Sequence, residues 1–357
     1  MHRIGAAPCH AVGWQGRMAR RCDHAGGPRP GLPSHRPPMQ ILDAAATRAA
    51  LPFDRLIPAL RALFASGCAV PRRHVHEVPT PGGGFTSLIM PAWVPGLCYG
   101  VKTVNVAPHN AARGLPGLHS TYLLYSATTG APLAWLDGDQ ITARRTAAAS
   151  ALAASFLARA DAQHLLLVGA GQVARLLPAA YRVVRPIDRV TVWARSADRA
   201  RQLADDLCTD GFDARPTTDL PAAVAQADVV SCATLATAPL VQGAWLQPGS
   251  HLDLIGSFTP AMREADDACF AGAALYVDTD EALAKSGDLL GPLARGVFSA
   301  DAVRGTLATL SAGQAAGRQD LVARTVFKSV GTALEDLAAA MLACGISPGG
   351  GTDRPVG

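Results

Sequence analysis

The spacing of apolar residues changes character several times along this chain. Between Met39 and about Gly67 they recur at helical intervals, and Ile57, Leu60, Leu63 and Phe64 fall on one face, which predicts one or two amphipathic helices. After Pro71 the pattern turns into short apolar runs, Thr86 to Met90, Tyr99 to Val106, Ser120 to Tyr125 and Leu133 to Leu136, broken by Gly, Pro and Asn. Such runs predict an antiparallel sheet with turns. Thr142 to Ala160 is alanine-rich and reads as a helix. Beyond it, apolar strands at Leu165 to Val168, near Val190, Val229 and Leu252, and at Ala274 to Val277 alternate with helical stretches. Alternation of this kind predicts an α/β fold with a Rossmann-type doubly wound parallel sheet. The segment from about Leu321 to Ala343 reads as one long helix. No internal repeat is found.

The first strand of the parallel sheet carries the most specific chemistry. Residues 165–174 read LLLVGAGQVA. The apolar run makes a buried strand, Gly169 permits a tight turn, and Gly171 lets the backbone approach a pyrophosphate. Gln172, Val173 and Ala174 open the next helix, with Ala174 small enough for close helix–strand packing. That helix points its N-terminus at the phosphates, where unpaired N–H groups and the macrodipole favour negative charge. At the end of the second strand a site selective for NAD carries an Asp or Glu for the ribose 2′-OH. Here the positions are Trp193, Ala194, Arg195 and Ser196, with Arg199 following. With no carboxylate to repel a 2′-phosphate and Arg195 able to pair with one, the expected cofactor is NADPH, with NADH as the alternative. Thr234 and Gly256 complete the candidate cofactor contacts.

Composition narrows the class. The chain has 357 residues, 49% of them hydrophobic, enough for one large core or two moderate ones. A formal charge of +4 with no block of Lys and Arg gives no nucleic-acid footprint. No apolar run of about 20 residues suggests a membrane span. Eight cysteines are scattered without Cys-x-x-Cys or zinc spacing, so they read as reduced thiols of a cytoplasmic protein, and no metal site is expected. Residues 1–38 are rich in Arg, His, Pro and Gly and lack apolar periodicity. They are expected to be disordered or an upstream extension from a misplaced start codon, with an Arg-rich targeting peptide as the alternative. Residues 346–357 are expected to be a flexible tail.

Several further segments occur in a familiar order. They are Pro71-Arg-Arg-His, Leu88-Ile-Met-Pro, Gly100-Val-Lys-Thr-Val-Asn, Leu118-His-Ser-Thr-Tyr, Arg145-Thr-Ala-Ala, Gly169-Ala-Gly, Gly249-Ser-His-Leu-Asp and Thr325-Val-Phe-Lys-Ser-Val-Gly. Through them the chain resembles the ornithine cyclodeaminase and mu-crystallin family from Met39 to about Cys344, and within it the bacterial pyrroline and piperideine carboxylate reductases. The resemblance implies a homodimer and a small amino or imino acid substrate. It also implies an α+β substrate and dimerisation domain, first part 39–145, an NAD(P)-binding domain over 146–318, and a C-terminal helix over 319–345 returning to the first part. Arg73 and Arg145 match the family's carboxylate-binding arginines, a role suited to the planar guanidinium fork. Lys102 matches its active-site lysine, placed to hold the carboxylate or exchange a proton with the substrate nitrogen. His119 is a further candidate to line the pocket.

Two departures bear on the reaction. Family members that cyclise ornithine keep a Glu and an Asp where this chain has Leu88 and Phe258. Neither side chain can accept a proton or bind an ammonium group, and burying an unpaired amine there would cost several kcal/mol. An apolar wall suits a ring that is already closed. The expected reaction is therefore NAD(P)H-dependent reduction of a cyclic ketimine, Δ1-pyrroline-2-carboxylate to L-proline, with Δ1-piperideine-2-carboxylate to L-pipecolate as a second substrate. Ornithine cyclodeaminase, an alanine-type amino-acid dehydrogenase and a non-catalytic binder like mu-crystallin are the alternatives.

Overall fold

The computed structural model describes residues 38–80 and 83–347, so the expected extension and most of the expected tail lie outside it. The first half runs β1 (Gln40–Leu42), α1 (Ala44–Ala50), α2 (Phe53–Ser66), β2 (His74–Val78), β3 (Phe85–Val94), β4 (Cys98–Val106), β5 (Leu118–Ser126), β6 (Pro132–Asp137) and α3 (Gly138–Leu157). The parallel part follows with β7 (His164–Val168), α4 (Gln172–Val184), β8 (Arg189–Trp193), α5 (Ala197–Thr209), β9 (Asp213–Thr217), α6 (Leu220–Val224), β10 (Val229–Cys232), β11 (His251–Leu254) and β12 (Ala274–Val277). The chain closes with α7 (Ala282–Lys285), α8 (Gly287–Ala294), β13 (Val303–Thr306), α9 (Leu307–Ser311), β14 (Thr325–Lys328) and α10 (Ala333–Ala343).

Two sheets result. The first has the order β1-β6-β5-β4-β3-β2, with β1 parallel to β6 and the other pairs antiparallel. Side chains alternate between its faces. Met90, Ala92, Cys98, Lys102, Val104, Tyr122, Leu124, Ala134 and Leu136 are buried on the face covered by α3 and α10, with α2 packed behind. On the opposite face Trp93, Tyr99, Val101, Leu123, Tyr125 and Trp135 are only half-buried. Their aromatic rings form a row, with centroids 6.2 Å apart for Trp93–Tyr99 and 5.7 Å for Tyr99–Tyr125.

The second sheet is wholly parallel, in the order β13-β12-β14-β11-β10-β7-β8-β9. Strand β7 is buried at every residue, as expected for a sheet covered on both faces. The expected helix from Leu321 to Ala343 is corrected by the structure. Its first part is β14, a strand between β11 and β12, and only α10 packs on the first sheet and its helices. Gly331, at φ +77°, breaks the segment, and the Thr332 side chain caps α10. Likewise the division between residues 145 and 146 falls inside α3, which begins at Gly138.

A buried carboxyl ties the helices to the parallel sheet. Asp253 on β11 accepts hydrogen bonds from Ser150 of α3 (3.1 Å), Tyr181 of α4 (3.0 Å) and Ser231 of β10. Burial pushes its pKa up to about 6, and those hydroxyl donors hold it from rising further. Tyr181→Phe removes one donor and is expected to lower the unfolding free energy by about 1–3 kcal/mol, measured by urea denaturation.

Candidate active site

The carboxyl ends of the parallel strands carry a cleft. The strand order reverses at β7, whose neighbours are β8 and β10, and ligands of open parallel sheets bind at such a point. A cavity of ≈ 600 Å³ lies there, lined by Gly169, Gly171, Arg195, Ser196, Arg199, Thr234 and Leu235 among others. Gly169 takes φ +121°, and a Cβ on it would meet the Ala233 carbonyl oxygen at 2.6 Å. Gly171, at the N-cap of α4, has nothing within 4 Å of its missing Cβ, which leaves the backbone open to a close ligand. These features fit a pyrophosphate at a helix N-terminus. Gln172 lines an adjoining hollow with Arg175 and Arg199. Val173 and Ala174 pack against the core instead of lining the cavity, and Gly256 is buried behind Thr234.

Further along the same edge three cations converge. Lys102 lies on the core face of β4, paired across the ladders with Met90 and Tyr122, and is 1% exposed. Its ammonium sits 2.6 Å from Asp336 Oδ2 and donates to Thr142 Oγ1 at 3.3 Å. Arg145 lies one turn beyond Thr142 on α3; its Nε donates to Asp336 Oδ1 at 3.0 Å and its Nη1 to Glu335 Oε2. Arg73, just before β2, donates to the Gly331 carbonyl at 3.3 Å and lines a small hollow with Met90, Glu281 and Thr332. Gly331 faces Arg145 so closely that a Cβ there would lie 2.6 Å from the guanidinium. The turn itself is pinned by Asp278, at the end of β12, which accepts from the N–H groups of Val330 (2.7 Å) and Gly331 (2.6 Å).

Local sequence explains these placements. Gly138 starts α3 where a Cβ would collide with Ser120 and Thr121 at 2.6 Å, and Asp137 caps the helix through the Gln140 N–H. Gly100 leaves room for the Tyr122 ring, whose hydroxyl would stand 2.0 Å from a Cβ. Burial lowers the Lys102 pKa to about 8 against the opposing pull of Asp336. Burial likewise pushes Glu335 up to about 7 although Arg145 opposes it. For Arg145 burial disfavours the charge, but Asp336 and Glu335 outweigh it and raise the guanidinium pKa. Lys102 has three donors, and two of them have partners here. The arrangement can therefore offer N–H groups to a carboxylate while staying neutralised without one.

The structure brings together Arg73, Lys102 and Arg145. Leu88 is on the same sheet face, opposite Val104 and half-buried. Phe258 lies in the loop after β11, 48% exposed, with its N–H on the Gly256 carbonyl. His119 is not brought to the site: it is exposed and pairs with Asn105, on the sheet face away from Lys102. Asp336, Glu335, Thr142, Tyr122 and Gly331 were missed by sequence reasoning. Two adjacent acids inside the otherwise apolar ALEDLAAAMLA were the available signal. Among the described residues no cluster of three His, Cys, Asp or Glu could hold a metal, and no helix is long and apolar enough to cross a membrane.

A dinucleotide cleft followed along one sheet edge by a buried cationic pocket defines a Rossmann-type oxidoreductase. More particularly, residues 57–344 match the ornithine cyclodeaminase/mu-crystallin family, and the chain belongs to it. The Δ1-pyrroline-2-carboxylate reductase of Paracoccus denitrificans is 45% identical over 273 residues, 76% of this chain and 86% of the relative. The structure of Thermococcus litoralis Δ1-pyrroline-2-carboxylate reductase with NADH and L-proline superposes with a TM-score of 0.81 at 32% identity, covering 86% of this chain and 96% of that one. An archaeal alanine dehydrogenase dimer with bound NAD has a TM-score of 0.78 at 27% identity, covering 86% and 95%.

The charge pairing has a direct consequence for stability. Asp336→Asn leaves Lys102 and Arg145 buried without their shared counter-charge, and is expected to cost about 3–5 kcal/mol of folding free energy. Guanidinium denaturation followed by far-ultraviolet circular dichroism measures it.

Proposed function

We propose that this chain, an NAD(P)H-dependent imine reductase by its family and relatives, reduces Δ1-pyrroline-2-carboxylate to L-proline and accepts Δ1-piperideine-2-carboxylate as a second substrate. The observation that carries this reading is that Arg73 and Arg145 both meet Gly331 while Arg145 and Lys102 share the buried Asp336. This meeting point lies at the ends of β14 and β12, three strand spacings from the phosphate turn of β7, or about 14 Å. A dinucleotide with its pyrophosphate at Gly171 would carry its nicotinamide towards β11 and β14. Leu88 on the sheet and Phe258 on the β11 loop offer apolar surface to the ring methylenes. One extra methylene is discriminated by only about 1–3 kcal/mol in an apolar pocket, which favours acceptance of both ring sizes.

In this reading the arginines grip the carboxylate and fix the ring's orientation. Lys102 Nζ holds a proton for the substrate nitrogen, and Asp336 keeps the ammonium in place. The reduced nicotinamide supplies the hydride that the imine carbon receives. NADPH is the preferred donor because Arg195, Ser196 and Arg199 line the cleft beyond β8 without a carboxylate among its lining residues. The half-buried row of Trp93, Tyr99, Tyr125 and Trp135 supports a homodimer through the outer face of the first sheet, since so contiguous an apolar face is unusual on a monomer. Buried thiols at Cys98, Cys232 and Cys269 fit a cytoplasmic setting.

Steady-state loss of nicotinamide absorbance with each ring substrate tests the reading, with pyruvate plus ammonia, and ornithine with NAD+, as controls. Faster turnover of either control than of the rings would refute it. Lys102→Ala is expected to lower kcat/KM by about 10²–10⁴-fold. Arg145→Lys, which keeps the charge for Glu335 and Asp336 but loses the fork, is expected to raise the imine KM by roughly tenfold or more.

The pH dependence follows from the lysine. Its proton-donating form is present below about 8 and lost above it, so kcat/KM is expected to fall as pH rises through that value. A rise with pH would exclude Lys102 as the donor. Arg195→Ala is expected to weaken NADPH by roughly tenfold while sparing NADH, measured as separate KM values.

A further inference from the structure

Beyond the cation pocket, one buried carboxylate has no part in the reaction as described. Glu264 is 0% exposed and stands behind the cofactor cleft. Its Oε1 accepts from the N–H (2.7 Å) and hydroxyl (2.8 Å) of Thr234, and its Oε2 accepts from the Gly256 N–H at 2.7 Å. Thr234 belongs to the loop after β10 and Gly256 to the loop after β11. The ladder between these strands ends at Cys232 and Leu254, the Ile255 N–H still donates to the Cys232 carbonyl at 2.9 Å, and beyond that bond the two loops leave the sheet.

The main chain of the same residue holds the far end of the first loop. Its carbonyl accepts from Leu240 (2.8 Å) and Val241 (3.0 Å), while Arg263 N–H donates to the Ala236 carbonyl at 2.7 Å. The wall formed by Thr234, Leu235, Ala236 and Leu240, all lining the cleft, thus hangs from residues 263 and 264. Glu264 is itself held by Asp288, whose Oδ1 accepts from its N–H at 2.8 Å, with the buried Lys328 ammonium 3.5 Å from Asp288 Oδ2. The two loops touch: a Cβ on Gly256 would stand 1.9 Å from the Thr234 carbonyl and 2.5 Å from Glu264 Oε1. Just past the bonded positions the loops present Leu235, 75% exposed, and Phe258, 48% exposed.

We propose that Glu264 is a positioning residue for the reduction, a staple whose two oxygens accept three hydrogen bonds and which sets the spacing of the Leu235 and Phe258 loops and so the seat of the nicotinamide ring. This rests on the reading of the cleft as a nicotinamide dinucleotide site. A carboxylate is required because all three partners are donors. Glutamine has the same shape, but its amide nitrogen must face an N–H of one loop or the other. The bond to that loop is lost and two donors confront each other.

The test uses the full chain and its Glu264→Gln variant. NADH binding is followed by nicotinamide emission, and initial rates are taken with Δ1-pyrroline-2-carboxylate. Glu264→Gln is expected to raise the Kd and KM for NADH by about tenfold, the scale of one charge-assisted hydrogen bond. The imine KM is expected to stay within about twofold, because the carboxylate grip is made elsewhere. The emission of bound NADH should shift towards that of free cofactor. Thr234→Val, which removes one donor and leaves the carboxylate, is expected to act in the same direction more weakly. An unchanged NADH Kd in Glu264→Gln, with only a lower Tm, overturns the proposal. If that variant does not fold, an unchanged Kd in Thr234→Val overturns it. Failure of the unaltered protein to bind NADH or NADPH would instead refute the cofactor reading, and the proposal with it.

Discussion

Two cations can remain at the centre of this molecule only because α10 brings two carboxylates to them. A buried ammonium or guanidinium without a counter-charge is too costly to keep, so Lys102 of β4 and Arg145 of α3 depend on Asp336 and Glu335. That dependence dictates the path of the chain. Strand β14 must finish in the parallel sheet before Gly331 turns the backbone, and α10 must then cross to the first sheet. The last part of the chain thereby joins both sheets, and the pocket exists only when that joint is made. The Gly331 carbonyl receives Arg73 while its missing Cβ admits Arg145, so the turn is itself a wall of the site.

The parallel sheet then fixes what lies next to what. Its carboxyl edge presents β8 with Arg195 close by, β7 with the glycine turn, β10 with Thr234, β11 with Gly256 and Phe258, β14 with Gly331, and β12 with Asp278. Strands spaced at about 4.8 Å make that edge a ruler, along which each loop stands at a fixed distance from the next. On the proposed reading, helix dipole and open backbone would act at the phosphate end, and buried paired charge at the other. Side chains alone could not keep this registration if the loops between were free to drift, and hydrogen bonds from loop N–H groups to carboxylates recur there. Asp278 pins Val330 and Gly331 as Glu264 pins Thr234 and Gly256.

Much of this was legible in the chain. The glycine turn and the alternating strands stood out because their residues obey local rules of period and backbone freedom. Lys102 was supplied by family resemblance, and its place in register with Cys98, Gly100 and Val104 on the buried side of β4 is a finding of the structure. The joint was not legible. Thr325 to Lys328 is too short for a period to show, and its apolar character continues into α10, so strand and helix merge into one apparent helix. Helix α10 is buried nearly all round, so Glu335 and Asp336 lie on no polar face that would mark their direction. His119 misled because it is near Ser120 in sequence, whereas in a strand adjacent residues point to opposite faces. Family resemblance supplied Arg73, which local pattern alone could not separate from Arg72.

The pocket is not short of acids, and this refines the argument from Leu88 and Phe258. Asp336 and Glu335 are at its heart, yet both are engaged by cations, and Asp278 is engaged by main-chain N–H groups. A second amine on a linear substrate would find Glu335 Oε1, a buried oxygen without a hydrogen-bond partner, and otherwise would compete with Lys102 and Arg145 for the Asp336 carboxylate they share. An anionic substrate faces the opposite situation, since it adds a partner to cations that still have N–H groups to give. Selectivity between the two therefore comes from how the acids are engaged more than from how many there are. In the same way the apolar side chains at Leu88 and Phe258 matter because they add no further acceptor to a site whose acids are already paired with cations or main-chain N–H groups.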